Sequence, residues 1–384
     1  MKIKQQVDDF IVEEQIDVRK SKEGEYVYFW LEKKNWNTTK AIKDISRLSR
    51  VSIKRFGWAG TKDKTGITKQ LVSVWKVDPE VLEKIKLKDI EIKIKGRGDK
   101  RINLGDLKGN KFRIIIRDLT QNNLNFLEKQ LNFTKKYGFP NYFGEQRFGR
   151  GNTHLIGKEI IKGRIQRAVK LILTYQSNES EESKKARDFA EENWGKWSEI
   201  IKQMPKWFHI EKAILNHLIQ HNNDFAGAIR TLPKKTLKLY VHAYQSYLFN
   251  LALSKIISQT SKNKKVKIRH MKVCFPLGQF RVPKKIPLVG YNTKLKGDVC
   301  SKILRSVLKR EEVKLEDFKC KRIPELKSEG TERETFVKFD KLRMGKAEKD
   351  ELNSKKKKLM LRFELPSGSY ATVLIRSLFV EDLR

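Results

Sequence analysis

Three segments of the 384-residue chain bring together polar side chains, glycines and aromatic rings in a way that a packed core does not require. The first comprises residues 60–66, GTKDKTG, in which Asp63 lies between Lys62 and Lys64. Positive charge nearby favours an ionised carboxylate, which is the form that a nucleophile or a general base needs. Because Asp and Gly are also ordinary turn residues, a simple hairpin turn is the alternative interpretation of this loop.

The second segment comprises residues 140–149, PNYFGEQRFG. A pocket for an extruded nucleobase uses an aromatic ring that stacks on it, an amide that reads its edge and an arginine that holds phosphate. Strand-to-loop packing is the alternative, because aromatic side chains are more often core than pocket. The third segment comprises residues 365–372, LPSGSYAT, and taken alone it is a turn into the last strand.

The elements that must position these segments are a mixture of strands and helices. A helix is predicted from Thr38, where Asn37 can cap its first turn. Alternating apolar residues or β-rich composition predict strands at residues 26–31, 70–77, 90–94 and 112–117. Strands interleaved with a few helices indicate an α+β sheet protein.

From about residue 155 to residue 316 the pattern changes, because helical periodicity dominates. Residues 275–291, which are punctuated by Pro and Gly, predict a small irregular or β part. A strand pattern returns after residue 329, at residues 359–363 and again at residues 370–379. The predicted helices are residues 159–173, 181–194, 207–220 and 234–257. We therefore expect a sheet domain that is interrupted by a helical insertion.

Composition narrows the class of partner. The chain has 84 Lys and Arg against 46 Asp and Glu, which gives a formal net charge of +38. Since 39% of the residues are hydrophobic, the charge belongs to a folded body rather than to a disordered basic tail. A polyanionic partner such as nucleic acid explains this surplus most simply, and a solvated lysine-rich surface is the alternative.

Targeting and redox signals are few. No apolar run approaches the ~20 residues of a membrane-spanning helix, and the first ten residues do not resemble a secretory signal. We therefore expect a cytoplasmic protein with no membrane partner. Cys274, Cys300 and Cys320 are too far apart for a metal knuckle and too few for a closed disulfide framework, so they are predicted to be reduced.

Cofactor motifs are also missing from the sequence. It contains neither GxxxxGK[ST] nor a dinucleotide-binding GxGxxG, so we expect no nucleotide cofactor. His217 and His221 are four residues apart on a predicted helix and could share one face as metal ligands. Without a neighbouring Glu or a third ligand, an ordinary surface or core position is favoured, and no metal is expected.

The order of the motifs resembles the TruD family of tRNA pseudouridine synthases. The resemblance covers nearly the whole sheet domain and one helical segment of the insertion. Its motifs are DFIVEE at residues 9–14, AGTKDKTGITKQ at 59–70, NLG at 103–105, KGNKF at 108–112, PNYFGEQRFG at 140–149, HLIGKEI at 154–160, YQSYLFN at 244–250 and LPSGSYAT at 365–372.

The resemblance implies a mixed, mainly antiparallel catalytic sheet domain interrupted by the family's mostly helical insertion. We expect the catalytic domain at residues 1–165 and 335–384, and the insertion at residues 166–334. The family's catalytic nucleophile is the aspartate of the Lys-Asp pair, which falls on Asp63. A basic residue normally pairs with that aspartate, and the resemblance assigns this position to Lys4, with Lys62 as the alternative.

The resemblance also implies residues that bind the substrate. Phe143 is expected to stack on the extruded uracil, in the place where related synthases use Tyr. Tyr370 departs from the motif of those family members that have Phe at this position. The residues expected to contact the uridine or its surroundings are Phe10, Asn141 and Tyr370.

The implied activity is isomerisation of a uridine in tRNA, at position 13 in the family's usual target, to pseudouridine. Neither redox change nor phosphate transfer is involved, which agrees with the missing cofactor motifs. Two other functions remain alternatives: a non-catalytic RNA-binding or assembly protein with a synthase-like fold, and a hydrolase that cleaves the glycosidic bond. The intact Lys-Asp pair favours the synthase. We expect tRNA as the partner and a monomeric protein.

Overall fold

The computed structural model describes residues 1–269 and 271–380. These residues form two compact units. Among the described residues, the first unit comprises Met1–Phe139 and residues 337–380, and the second comprises Pro140–Phe336. One unit is therefore built from two separate stretches of the chain, and the stretch between them forms the other.

The strands are, in chain order, β1 (Lys2–Ile3), β2 (Phe10–Gln15), β3 (Tyr26–Lys34), β4 (Phe56–Trp58), β5 (Ile67–Trp75), β6 (Ile90–Gly98), β7 (Gly109–Leu119), β8 (Phe139–Pro140), β9 (Asn263–Ile268), β10 (Met271–Pro276), β11 (Lys285–Leu288), β12 (Thr331–Glu334), β13 (Phe336–Val337), β14 (Asp340–Met344), β15 (Glu348–Lys349) and β16 (Lys357–Pro366).

The helices are α1 (Thr38–Leu48), α2 (Pro79–Glu83), α3 (Gln121–Tyr137), α4 (Thr153–Ile161), α5 (Ile165–Thr174), α6 (Glu181–Glu192), α7 (Trp197–Gln203), α8 (His209–Gln220), α9 (Phe225–Arg230), α10 (Lys234–Thr260), α11 (Val299–Arg310) and α12 (Ala371–Leu378). Among the described residues, no helix is long and apolar enough to cross a membrane.

The first unit is organised around one sheet with the strand order β14-β16-β7-β2-β5-β3-β6. Strand β2 pairs with β5 in parallel, and the other pairs along this path are antiparallel. The predicted mixed, mainly antiparallel sheet is thereby confirmed. Every strand predicted in the first 120 residues is also confirmed, within a few residues at each end.

Helix α1 covers part of this sheet because the two apolar patterns match. Alternate residues of β3, beginning with Val27, Phe29 and Leu31, form a fully buried face. They belong to one core cluster with the buried side of α1. Asn37 caps the helix as predicted, since its Oδ1 accepts hydrogen bonds from the N–H groups of residues 39 and 40 at 2.9 and 3.2 Å. This cap sets where β3 ends and α1 begins.

A buried arginine anchors the start of the chain to the sheet. Arg117, in β7, donates from Nε to both carboxylate oxygens of Asp9 at 3.0 Å and from Nη1 to Asp350 at 3.0 Å. All three side chains are almost fully buried. A buried charge is tolerated only when it is paired and hydrogen-bonded, so these contacts fix the first nine residues against the sheet.

The second unit is mostly helical, as the sequence predicts, and its long central helix is α10. The motif YQSYLFN lies in the middle of α10, where most of its side chains are buried. Helix α4 packs against α10. Residues 140–165, which the sequence analysis assigned to the catalytic domain, therefore belong to the second unit. The predicted β part is confirmed by two small sheets, β9-β10 and β11-β12.

Two sequence predictions are wrong. Residues 370–379 were expected to form a strand, but they form α12, because Ala371, Leu374, Ile375 and Leu378 are buried at helical spacing. The predicted helix at residues 159–173 is two helices, α4 and α5, separated by Gly163 with a φ of +71°. The β-branched residues of 370–379 favoured a strand prediction. In residues 159–173 the apolar periodicity continues across the turn at Gly163, so the sequence predicted one helix instead of two.

The predicted state of the cysteines agrees with the structure. All three are free thiols, and Cys274 and Cys320 are buried while Cys300 is half-buried. Burial raises the pKa of the Cys300 thiol to about 11 and that of the Cys320 thiol to about 12, with nearby carboxylates acting in the same direction. Neither thiol is therefore activated as a nucleophile near neutral pH.

The contact between α4 and α10 generates a stability prediction. Gly157 lies so close to α10 that a Cβ atom there would be 2.0 Å from the carbonyl oxygen of Tyr240. Although Gly→Ala in a helix usually stabilises by up to ~1 kcal/mol, we expect Gly157→Ala to lower the melting temperature. Gly278→Ala is the control, because a Cβ there meets nothing within 4 Å. Equal melting temperatures would contradict the close approach.

Candidate active site

The loop at residues 60–66 joins β4 to β5. It is held by a chain of hydrogen bonds that runs through two buried side chains. The backbone N–H of Lys62 donates to Thr38 Oγ1 at 3.0 Å, and this hydroxyl donates to Gln70 Oε1 at 2.9 Å. Gln70 Nε2 donates in turn to the carbonyl of Gly60 at 3.2 Å. Thr38 and Gln70 are fully buried. The loop is therefore a fixed part of the unit rather than a simple turn.

The end of the loop is fixed by Gly66. Its φ is +121°, and a Cβ atom there would lie 2.5 Å from the carbonyl oxygen of Phe10. Its backbone N–H donates to Asn35 Oδ1 at 3.3 Å, and its carbonyl accepts from the N–H of Asn35 at 3.1 Å. Only glycine combines this backbone conformation with so close an approach. The loop is thereby brought against the start of β2.

The carboxylate of Asp63 pairs with Lys4. The distance from Lys4 Nζ to Asp63 Oδ2 is 2.8 Å, and both side chains are about one-fifth exposed. The same Nζ lies 3.8 Å from the ring centroid of Phe10. Lys4 has a φ of +60°, a left-handed conformation that is costly for a residue with a Cβ atom. Such strain persists where the surroundings over-determine it, and it is concentrated at functional sites.

A lysine that the sequence analysis did not select also contacts Asp63. Lys33 is fully buried. Its Nζ donates to the main-chain carbonyl of Asp63 at 2.8 Å and to that of Trp36 at 2.5 Å. Burial lowers the pKa of the Lys33 ammonium to about 8, an effect that Asp63 opposes and Lys62 reinforces. A buried cation therefore holds the backbone of the residue that carries the carboxylate.

The side chain of Lys62 is engaged elsewhere. Its Nζ lies 2.7 Å from Glu14 Oε1 and donates to Asn110 Oδ1 at 2.8 Å. Glu14 also accepts from the backbone N–H of Leu71 at 3.0 Å. Burial raises the pKa of Glu14, and the Lys62 ammonium acts against this rise. Of the two lysines that the sequence offered as partners of Asp63, the structure therefore pairs Lys4 with the carboxylate.

Lys33 and Glu14 are the residues that sequence reasoning missed. A signal for Lys33 was present, because it continues the alternation of Val27, Phe29 and Leu31 on the buried face of β3. A cation in register with a core face is unusual, since lysines are almost never fully buried unless paired. Glu14 likewise follows Phe10 and Val12 on the buried face of β2.

Two of the expected substrate-binding residues, Asn141 and Phe143, lie in the second unit. Asn141 Nδ2 donates to the carbonyl of Glu334 at 3.0 Å, and its Oδ1 accepts from Arg333 at 2.5 Å. The Phe143 ring is 8% exposed. Arg333 places its guanidinium carbon 4.1 Å from the centroid of this ring, and Phe249 packs against it edge-on at 5.7 Å.

Tyr370 belongs to the first unit. It is half-buried and immediately precedes α12, following the turn after β16. His217 and His221 lie in the second unit, with ring centroids 4.8 Å apart, and His217 Nε2 is 2.8 Å from Asp224 Oδ2. Among the residues that the structure describes, no group of three or more His, Cys, Asp or Glu side chains could hold a metal ion.

The burial of Lys33 predicts how stability depends on pH. An unfolded lysine has a pKa near ~10.4, and the folded value is about 8. Between these two values the unfolded chain binds more protons, so Lys33 makes the free energy of unfolding rise with pH. We expect Lys33→Met to remove this rise, as measured by denaturant unfolding at pH 7 to 10, and the exposed neighbour Lys34→Met to keep it. If the free energies of unfolding of wild type and Lys33→Met changed with pH in parallel, the lowered pKa of Lys33 would be contradicted.

Comparison with known proteins places this chain in a family. The family model described as tRNA pseudouridine synthase D (TruD) matches residues 1–378. A protein of Methanosarcina acetivorans named probable tRNA pseudouridine synthase D is 36% identical, with 99% of this chain and 93% of that protein covered. One of Nanoarchaeum equitans with the same name is also 36% identical, with 94% and 88% covered.

A solved structure gives the same result. The crystal structure named as tRNA pseudouridine synthase D of Methanosarcina mazei superposes with a TM-score of 0.73 at 34% identity, covering 98% of this chain and 93% of that chain. Agreement in sequence and in fold extends over nearly the full length of both proteins. The chain therefore belongs to the TruD family of tRNA pseudouridine synthases.

Proposed function

We propose that this protein converts uridine 13 of tRNA to pseudouridine in the cytoplasm, with Asp63 as the nucleophile. The single observation that supports this proposal best is the Asp63 carboxylate, 2.8 Å from Lys4 Nζ in a loop fixed by buried hydrogen bonds. The ionised carboxylate is the nucleophilic form, and the ammonium of Lys4 places a compensating charge beside it.

The proposed reaction breaks the bond between uracil N1 and ribose C1′, rotates the base and joins C5 to C1′. C5 loses its proton and N1 gains one, so the product is an isomer and no oxidant, reductant or phosphate donor is consumed. The carboxylate acts either at C6 of uracil or at C1′ of ribose. Both routes need the ionised form of Asp63.

Each surrounding residue has a distinct part in this proposal. Lys4 stabilises the charge of the carboxylate, and Lys33 fixes the Asp63 backbone through its carbonyl. Lys62 supports the loop through Glu14. Phe10 contributes an aromatic face beside Lys4. Such prior positioning is a large part of catalysis, because a misplacement of ~1 Å can cost ~10²-fold in rate.

Phe143 is proposed to stack on the extruded uracil, and Asn141 and Tyr370 to contact the uridine or its surroundings. Extruding a base costs a few kcal/mol, of which an aromatic face returns ~1–3 kcal/mol. The Arg333 guanidinium carbon lies 4.1 Å from the centroid of the Phe143 ring, and a guanidinium is the kind of flat, polar group that stacks on aromatic rings. These assignments rest on the family resemblance and on the positions of the motifs.

A non-catalytic RNA-binding protein with this fold is the alternative. It would need the cations and the aromatic residues, but it would need no carboxylate held by a strained Lys4. A hydrolase of the glycosidic bond would release uracil and leave an abasic site. Mapping both pseudouridine and abasic sites in tRNA incubated with the protein separates all three, because only the synthase forms pseudouridine and only the hydrolase leaves an abasic site.

The decisive substitution is Asp63→Asn, which keeps the size of the side chain and removes its charge. We expect pseudouridine formation to fall by at least ~10³-fold while the affinity for tRNA stays within a few-fold. Asp8→Asn is the matched control, because Asp8 is an exposed carboxylate in the same unit, immediately before the motif at residues 9–14. An Asp63→Asn variant that turns over near the wild-type rate would exclude Asp63 as the nucleophile.

Phe143 and its neighbour Phe249 allow stacking to be separated from packing. Both rings are buried, so each change to Ala should cost several kcal/mol of stability, up to ~3–5 kcal/mol. We expect Phe143→Ala also to lose activity per folded molecule at a temperature well below melting, whereas Phe249→Ala keeps it. Phe143→Tyr should retain much of the activity because the ring survives. Equal activity in the two Ala variants would assign Phe143 to the core alone.

A further inference from the structure

Three arginines lie side by side across three neighbouring strands of the first unit. Arg113 of β7 is directly opposite Arg362 of β16, and Arg362 is directly opposite Arg343 of β14. Residues opposite each other in antiparallel strands have Cβ atoms only ~4.5–5.5 Å apart and project from the same face. We call this row, Arg113–Arg362–Arg343, the arginine ladder.

The ladder lies on the reverse face of the sheet from the Asp63 pair. Phe10 is opposite Ile114 and carries Lys4 over its ring, so the Asp63 pair belongs to the face of Phe10. Arg113 is the residue before Ile114 and therefore projects from the other face. The ladder is also accessible, since Arg343 and Arg362 are exposed and Arg113 is half-buried.

The row next to the ladder on the same face is arranged differently. There Lys69, Glu13, Lys111 and Glu364 follow one another across β5, β2, β7 and β16, so that positive and negative charges alternate. Opposite charges stabilise a cross-strand pair, whereas like charges directly opposite each other destabilise it. On β14 this row ends with Asp340 opposite Glu364, a like-charge pair beside which Lys341 binds Glu364. The free protein thus pairs most charges of this row and leaves the arginine row with two repulsive contacts.

No described residue relieves this repulsion by an ion pair or a hydrogen bond to the arginines. Within residues 1–269 and 271–380, none of the three arginines has a hydrogen bond or an ion pair. The ladder lines a shallow cavity of about 410 Å³ together with Lys111, Lys341, Glu13 and Glu364. Both carboxylates are engaged by lysines, Glu13 by Lys69 at 3.4 Å and Glu364 by Lys341 at 3.2 Å. With five cations against two carboxylates, the cavity lining has an excess of positive charge.

The ladder also continues toward the candidate nucleophile. Ile11 of β2 is opposite Arg113, and Ile67 of β5 is opposite Ile11, only four residues after Asp63. Since strands in a sheet are ~4.8 Å apart, the arginines lie ~10–20 Å from β5 along one row. A single long ligand that passes over the start of β5 can therefore contact both the arginine ladder and the loop that carries Asp63.

We propose that the arginine ladder binds the phosphates of the tRNA whose uridine reaches Asp63. Guanidinium groups match phosphate in planar, bidentate geometry, and three of them in a row fit a chain of phosphodiesters rather than a single anion. Bound phosphates neutralise the row and remove the repulsion of the free protein. This inference rests on the proposed function for the identity of the RNA, and it extends the RNA contact to the reverse face of the sheet.

Binding of tRNA at several salt concentrations tests the proposal. Changing Arg113, Arg343 and Arg362 together to Gln should weaken binding at least ~10-fold and make the dependence of log Kd on log salt shallower by about 2–3. KM for pseudouridine formation should rise more than kcat falls. The control removes three exposed charges elsewhere in the unit, Lys84, Lys86 and Lys88, each to Gln.

Stability provides an independent measurement. Arg362 is the middle of the ladder, so Arg362→Gln should raise the melting temperature of the free protein by about 1–3 °C. Lys111→Gln removes the same charge from the alternating row and should lower it. The difference between them isolates the cross-strand pairing from the overall positive charge. If Arg362→Gln melts no higher than Lys111→Gln, the ladder is not strained and the proposal is overturned.

The outcomes separate this inference from the proposed function. If the triple variant binds tRNA with the affinity and salt dependence of its control while wild type forms pseudouridine, the ladder does not bind RNA, and another anion such as an acidic protein segment becomes its ligand. If wild type forms no pseudouridine but the triple variant still loses tRNA binding, the ladder stands and the proposed function fails.

Discussion

The site depends on keeping one carboxylate charged where little water reaches it. Asp63 is only about one-fifth exposed, so its charge must be balanced by groups of the protein itself. Lys4 supplies an ammonium at the carboxylate, and Lys33 supplies another at the main-chain carbonyl of the same residue. The buried Lys33 carries a desolvation cost, which shows in its lowered pKa.

Further ion pairs around the site hold the loop of Asp63 and the segment of Lys4 in place. Glu14 neutralises Lys62 inside the sheet, and Arg117 fixes the first residues of the chain through Asp9 and Asp350, so that Lys4 is held in its strained conformation. Removing one partner of a buried pair leaves the other charge uncompensated and costs more than the pair contributes. The chain of pairs therefore serves to specify one arrangement of the loop rather than to add stability.

The two faces of the sheet in the first unit have different tasks. One face carries Phe10 and the loop at residues 60–66, where the charged groups of Asp63, Lys62 and Glu14 are paired within the protein. The other carries the arginine ladder, where like charges are placed together and are not satisfied by any described residue. Fully paired polar groups fix a conformation, whereas concentrated unpaired charge favours a ligand of opposite sign. The division follows from the alternation of side chains along each strand.

Local patterns in the sequence determined the early strands, the Asn37 cap, the helical middle of the chain and the Lys-Asp loop, because each depends on residues a few positions apart. They failed at residues 370–379, where β-branched composition concealed helical spacing. The family resemblance already favoured Lys4 over Lys62 as the partner of Asp63, and the structure pairs them in this way. The tertiary structure alone decided that Lys33 contacts Asp63 from β3 and that three arginines share one row. These relations depend on strand register and on contacts between distant residues, such as Arg117 and Asp350, 233 positions apart, and register is set by the packing of the whole sheet.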